Sequence, residues 1–125
     1  FPRLKILLTE VDASWIPHML HRADHYFTRY REKDSLSLTP SGYMRRNVWA
    51  TFQDEGETIP FAAALYGADR LLWASDFPHM NSTYPKTREF IGTNFPGMAH
   101  ADVQRIVAGN AVELYRLEAG ADIGA

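Results

Sequence analysis

Cysteine is missing altogether from this chain. No disulfide and no thiolate metal site is open to it, and a reducing compartment suits such a composition. Long apolar runs are missing as well: none approaches the roughly 20 residues needed to span a bilayer. No signal-peptide pattern opens the sequence, which begins Phe1-Pro2-Arg3-Leu4 and runs straight into Lys5-Ile6-Leu7-Leu8. An excess of basic charge is absent too. With 13 basic and 15 acidic residues the net charge is −2, which gives no overall footprint for nucleic acid. No glycine pattern for nucleotide phosphates follows an apolar run, and no serine sits in a nucleophile elbow. These absences predict a cytoplasmic protein with a small-molecule substrate and neither nucleic acid nor membrane as partner. An initiator methionine is also absent, and the start almost inside a strand reads as a cut within a larger protein.

What is present is ordinary in bulk. The 125 residues are 46% hydrophobic and 22% charged, which suits one globular domain with its own core. Leu4 to Thr9 is a short strand candidate. From Ala13 to about Arg31 the spacing is helical, with Ile16, Met19, Leu20, Ala23, Phe27 and Tyr30 on one face. Asp12 or Ser14 offers a cap, and Pro17 is tolerable within the first turn. A polar linker is expected from Glu32 to Ser41, closing on Thr39-Pro40-Ser41-Gly42. Arg46 to Phe52 reads as a second strand. After an acidic loop, Ile59 to Tyr66 reads as an apolar helix stopped by Gly67. Leu71 to Ser75 is the third strand, followed by a helix near Pro85 to Ile91. A last helix runs from Ala101 to Leu117, with a frayed tail from Glu118. Trp15, Trp49 and Trp73 lie in or beside apolar elements and read as core rather than as a base-stacking platform.

Strands that alternate with helices predict an α/β fold with a parallel sheet and right-handed crossovers. The pattern suits a small open sheet or an arc of a (β/α) barrel equally. Three strands leave two open edges, and parallel sheets are normally covered on both faces. The chain is therefore expected to belong to something larger or to form a homo-oligomer.

The richest stretch for chemistry is Leu71-Leu72-Trp73-Ala74-Ser75-Asp76-Phe77-Pro78-His79. A buried strand stops at an acid, and Pro78 has no N–H with which to continue the ladder. Asp76 thus sits at the carboxyl end of a strand, where α/β folds carry their active groups. It reads as a reagent or metal ligand, or else as a cap of the following turn. Glu10 ends the first strand in the same way, as a rim carboxylate, a strand-end cap or an arginine partner. With parallel strands, Glu10, Asp76 and His79 converge on one rim, His79 either touching substrate or orienting its loop. Two carboxylates and an imidazole suit a divalent ion such as zinc or manganese, which lowers the pKa of bound water. His18, His21, Asp24 and His25 form a second candidate group, because histidines four apart on a helix can chelate a metal. The three histidines lie opposite Ile16, Leu20 and Phe27, which predicts a solvated face instead.

Several of these segments, taken in order, resemble a known family. Trp73-Ala74-Ser75-Asp76-Phe77-Pro78-His79, Tyr84-Pro85 and Ile106-Val107-Ala108-Gly109-Asn110-Ala111-Val112-Glu113-Leu114-Tyr115 are similar to the end of amidohydrolase-related metal-dependent hydrolases. The branch concerned includes aminocarboxymuconate-semialdehyde decarboxylase and related aromatic-acid decarboxylases. Pro40 to Phe52 resembles its seventh-strand region, and Phe1 to Trp15 its sixth. The resemblance implies that residues 1–125 are a partial domain: the last three βα units of a TIM (β/α)8 barrel and the C-terminal helices. It implies a metal-dependent hydrolase or decarboxylase acting on a small carboxylic or cyclic substrate, with zinc or manganese in the full-length parent. Asp76 takes the place of the strand-eight aspartate, as ligand or activator of water. Glu10 stands where the decarboxylases have a strand-six histidine, a departure resembling a sub-branch with glutamate there. The His-x-His of strand one and the strand-five histidine would lie upstream of Phe1, so the chain alone is expected to be inactive, with its metal site incomplete or empty. A non-catalytic, self-associating α/β module is the alternative.

Overall fold

The computed structural model describes residues 1–30 and 36–117. Part of the expected linker from Glu32, the last residue of the expected first helix and the tail from Glu118 lie outside the described residues. Three short strands, β1 (Ile6–Leu8), β2 (Val48–Phe52) and β3 (Leu71–Trp73), form a parallel sheet in chain order. Ile6 pairs with Val48 and Leu8 with Ala50, while Ala50 also pairs with Leu71 and Phe52 with Trp73. The backbone bond from Ala74 N to Phe52 O, 2.9 Å, carries the ladder one step further. All three carboxyl ends therefore open onto one rim. The fold is α/β, as the alternation of elements predicts.

The first helix, α1 (Ile16–Arg29), buries Ile16 and Leu20 and carries Pro17 in its first turn. His18, His21 and His25 are exposed on its outer side, and Phe27 is half-buried. Neither Asp12 nor Ser14 caps this helix. The helix has no side-chain cap at all; Glu55, from beyond β2, instead pins the turn ahead of it, its carboxylate accepting the Ala13 and Ser14 amides at 2.6 and 2.8 Å. A partner 41 or 42 residues away leaves no local signature. Trp15 also departs from expectation. It is 40% exposed, and its Nε1 donates to Val11 O at 2.7 Å rather than entering the core.

A second helix, α2 (Pro40–Asn47), stands where the sequence reading put the end of a linker and the start of a strand. Its signal is present in the sequence. Thr39 is extended, its hydroxyl accepts the Gly42 amide at 3.2 Å, and Pro40 opens the helix. Arg46 and Asn47 therefore end a helix, and β2 begins only at Val48.

Helix α3 (Ile59–Ala62) continues as a π turn over Ala63–Gly67. Gly67 ends it at φ 123°, and a Cβ there would meet Asp69 Oδ1 at 2.6 Å. Beyond β3 come α4 (Thr87–Thr93), α5 (His100–Gln104), a π turn over Arg105–Gly109, and α6 (Asn110–Tyr115). Ala50, Phe52 and Leu71 from the sheet meet Ile16, Leu20, Ile59, Ala62, Tyr66, Phe95 and Ile106 in one core. Trp49, one residue out of phase, is covered by Lys5 and Arg70, whose charged groups lie 5.5 and 4.6 Å from its ring.

Two buried polar side chains fasten these layers. The Tyr66 hydroxyl donates to Val48 O at 2.8 Å, and burial pushes this phenol up to about 12, against the pull of Arg70 and Arg45. The Asn110 amide donates to Ala68 O and Leu71 O, both at 2.7 Å, and so ties the last helix to the entry of β3.

Candidate functional site

The site is built from the strand ends. Glu10 follows β1 by two residues and Asp76 follows β3 by three. Both adopt left-handed backbone, with φ 59° and 58°. That conformation costs an L-residue roughly 1–2 kcal/mol, so something else must hold it. Asp12 lies at φ 59° as well. Its carboxyl is held above the usual range by partial burial and by the charge of Glu55, opposed by a backbone hydrogen bond from Gln53.

Asp76 does not make an ordinary side-chain cap. Such a cap accepts the amide two residues on, and Pro78 offers none. The Phe77 amide donates to Ser75 Oγ at 3.4 Å, and the His79 amide donates to the Asp76 backbone carbonyl at 2.8 Å. This last bond closes a turn that returns the His79 ring to the acid. His79 Nδ1 lies 3.0 Å from Asp76 Oδ1 and 3.4 Å from Glu10 Oε1. The Asp76 side chain is only 15% exposed, whereas those of Glu10 and His79 are 69% and 66% exposed.

One ligand atom from each of Glu10, Asp76 and His79 falls within 4.8 Å of the others. Among the described residues, this is the one group of three such side chains close enough to share an ion. The spacing fits one. Donors bound at about 2.1 Å on adjacent corners of an octahedron stand about 3 Å apart. The set of two carboxylates and one imidazole is hard and oxygen-rich, which suits manganese better than a thiol-seeking ion. His18, His21 and His25 form no such group, and Asp24 beside them is engaged elsewhere. Its two oxygens accept the Ser41 amide at 2.9 Å and the Ser41 hydroxyl at 2.6 Å.

The cluster borders a cleft of about 510 Å³ whose walls include Thr51, Gln53 and Met80. A larger hollow, about 970 Å³, lies between α4 and the C-terminal helices. Ile91, Phe95, Met98, Val103 and Val107 line it, away from the strand ends. The donor cluster thus borders the smaller space. The sequence reading left Thr51 and Gln53 without a part. Their alternation with Phe52 at the end of a strand is the signal that puts them on the rim.

The amidohydrolase family pattern matches residues 1–117. No curated protein matches the sequence. The structure is similar to 5-carboxyvanillate decarboxylase from Sphingomonas paucimobilis, with 26% identity and a TM-score of 0.74 over 94% of this chain and 35% of that one. It is similar to 2,6-dihydroxybenzoate decarboxylase from Rhizobium, with 25% identity and a TM-score of 0.67 over 93% of this chain and 36% of the other. A dihydroxybenzoic acid decarboxylase from Polaromonas sp. JS666, solved with bound manganese, shares the fold at 23% identity and a TM-score of 0.67, over 100% of this chain and 37% of that one. The chain thus spans little more than a third of the length of these solved relatives.

Proposed function

The chain belongs to the amidohydrolase family, and on that premise we propose that it forms the carboxyl-terminal rim of a metal-dependent hydrolase or decarboxylase. In this reading β1, β2 and β3 are three consecutive strands of a TIM (β/α)8 barrel, and residues 1–125 are part of one catalytic domain. The substrate is a small carboxylic or cyclic molecule. Its aromatic carboxylate form is favoured because two relatives at 25% identity or above are decarboxylases of such acids. The same likeness favours an enzyme over a non-catalytic module. A cytoplasmic, homo-oligomeric protein goes with this reading.

The observation that carries the proposal is the meeting of Glu10, Asp76 and His79 at the carboxyl ends of parallel strands. Asp76, Glu10 and His79 are the residues that would hold the ion, with water or further side chains completing its shell. Manganese is preferred to zinc, on the donor set and on the manganese-bound relative. A divalent ion bound there supplies positive charge that stabilises negative charge developing on the substrate. Asp76 is the base. The carboxylate oxygen that the ion would leave free takes the proton from attacking water in hydrolysis. In decarboxylation Asp76, having first taken a proton from solvent, gives it to the carbon that keeps the electron pair as carbon dioxide leaves. Its low exposure holds it in one place for that transfer. His79 offers a polar contact at the cleft mouth as well.

The test is a comparison of the full-length protein with its Asp76→Asn variant on a panel of aromatic carboxylates, with metal content measured on both. Asparagine is nearly isosteric but a poor proton acceptor and a weaker ligand. Turnover should fall to almost nothing while the folded spectrum is unchanged. Near-normal turnover in the variant would remove Asp76 from the mechanism.

A further inference from the structure

The end of β2 contributes nothing to the donor cluster, yet it reaches both sides of it. Thr51 Oγ1 accepts the Glu10 amide at 2.7 Å. Two residues on, the Gln53 side chain donates to the Asn81 carbonyl in the loop after His79. The Gln53 carbonyl accepts Trp73 Nε1 at 3.1 Å. The first of these bonds bears most directly on the site. The Glu10 side chain is 69% exposed, so packing does not fix its direction. Its backbone does, and that backbone is in the left-handed region that glutamate resists. The Thr51 hydroxyl, 41 residues away in sequence, is the side-chain partner that holds the Glu10 amide in this turn. With its oxygen already accepting, the hydroxyl still has its own proton to direct into the cleft, whose wall it shares with Glu10.

We propose that Thr51 is a positioning residue for the metal cluster: by accepting the Glu10 amide it aims the Glu10 carboxylate at Asp76 and His79. The inference rests on the reading of Glu10 as a ligand, given above. It accounts for a hydroxyl at the inner strand of the rim, where no ligand is needed.

Manganese binding to the full-length protein, read from the electron paramagnetic resonance signal of the free ion, tests both levels separately. The variants are Thr51→Val, Thr51→Ser and Glu10→Gln, each with its melting temperature. Valine keeps the shape of threonine and suits a strand, and Thr51→Ala repeats the comparison should valine disturb folding. Loss of a partner that orients a ligand weakens metal affinity by about 10- to 100-fold, the drop expected for Thr51→Val and Thr51→Ala. Thr51→Ser should stay near wild type, since serine keeps the acceptor, and Glu10→Gln should weaken binding at least as much as Thr51→Val. Wild-type affinity in Thr51→Val beside weakened Glu10→Gln would overturn the positioning role and leave the ligand reading standing. Equal weakening in Thr51→Ser and Thr51→Val would also overturn it, pointing to the methyl group. Wild-type affinity in Glu10→Gln would overturn the ligand reading and this inference together.

Discussion

Tyr66 shows how one residue joins sequence, packing and pH. It is nearly inaccessible, and its hydroxyl donates to the carbonyl that opens β2. Replacement by phenylalanine keeps the ring but strands the Val48 carbonyl, at a cost of about 1–2 kcal/mol. Urea titration measures that loss. The phenol also gives stability a dependence on alkaline pH. It ionises near 10 when unfolded and near 12 in place. The unfolded chain therefore releases its proton first. Stability from this group is complete below pH 10 and falls as pH rises toward 12. The urea midpoint of the native protein should drop across that window more steeply than that of Tyr66→Phe. Equal slopes would remove Tyr66 as the source.

Elements here are fixed by side chains that come from other elements. The turn that leads into α1 is held by Glu55 from the far side of β2, which accepts the Ala13 and Ser14 amides. Glu55→Ala should cost about 1.5–3 kcal/mol, as the loss of hydrogen bonds to a charged group does, and Glu55→Gln less, since one acceptor oxygen remains. Asn110 holds the C-terminal helices to β3 in the same manner, giving its amide hydrogens to two backbone carbonyls, that of Leu71 buried and that of Ala68 partly so. Asn110→Ala should cost about 2–4 kcal/mol, because two acceptors lose their partner at once. Asn110→Asp should be worse, for it turns an anion toward two carbonyl dipoles. Denaturant midpoints for the two variants check the order, and a milder effect for aspartate would contradict it.

Across the molecule, the sheet has more surface than its helices cover. Among the described residues β1 pairs on one side alone, and Leu4 and Ile6 beside that free edge are 51% and 39% exposed. An unpaired, apolar edge invites another strand. The 125-residue chain by itself is expected to self-associate, and Ile6→Lys to reduce that association by placing a charge on the edge. Light scattering over a range of concentrations decides it; a stable monomer at high concentration would contradict the expectation. Among the described residues no helix is long and apolar enough to cross a membrane.

The order and direction of the strands were legible in the sequence, because alternating apolar strands and helices with short connections admit few other topologies. So was the outer face of α1, since a helix of fixed period must turn His18, His21 and His25 away from Ile16 and Leu20. Gly67 marked the end of α3, as a position at φ 123° excludes a Cβ. Asp76 and Glu10 were readable as strand-end acids. Helix α2 was missed although Thr39 and Pro40 announce it, because the β-prone Val48 to Phe52 drew the strand boundary too early. What tertiary structure alone decided is every contact between distant segments: the Glu55 bonds to the turn before α1, the Thr51 bond to Glu10, and the distances that bring Glu10 to Asp76 and His79. Local propensity and period act over a few residues. These contacts span 41 residues or more and depend on how parallel strands register side by side, which no single stretch of sequence encodes.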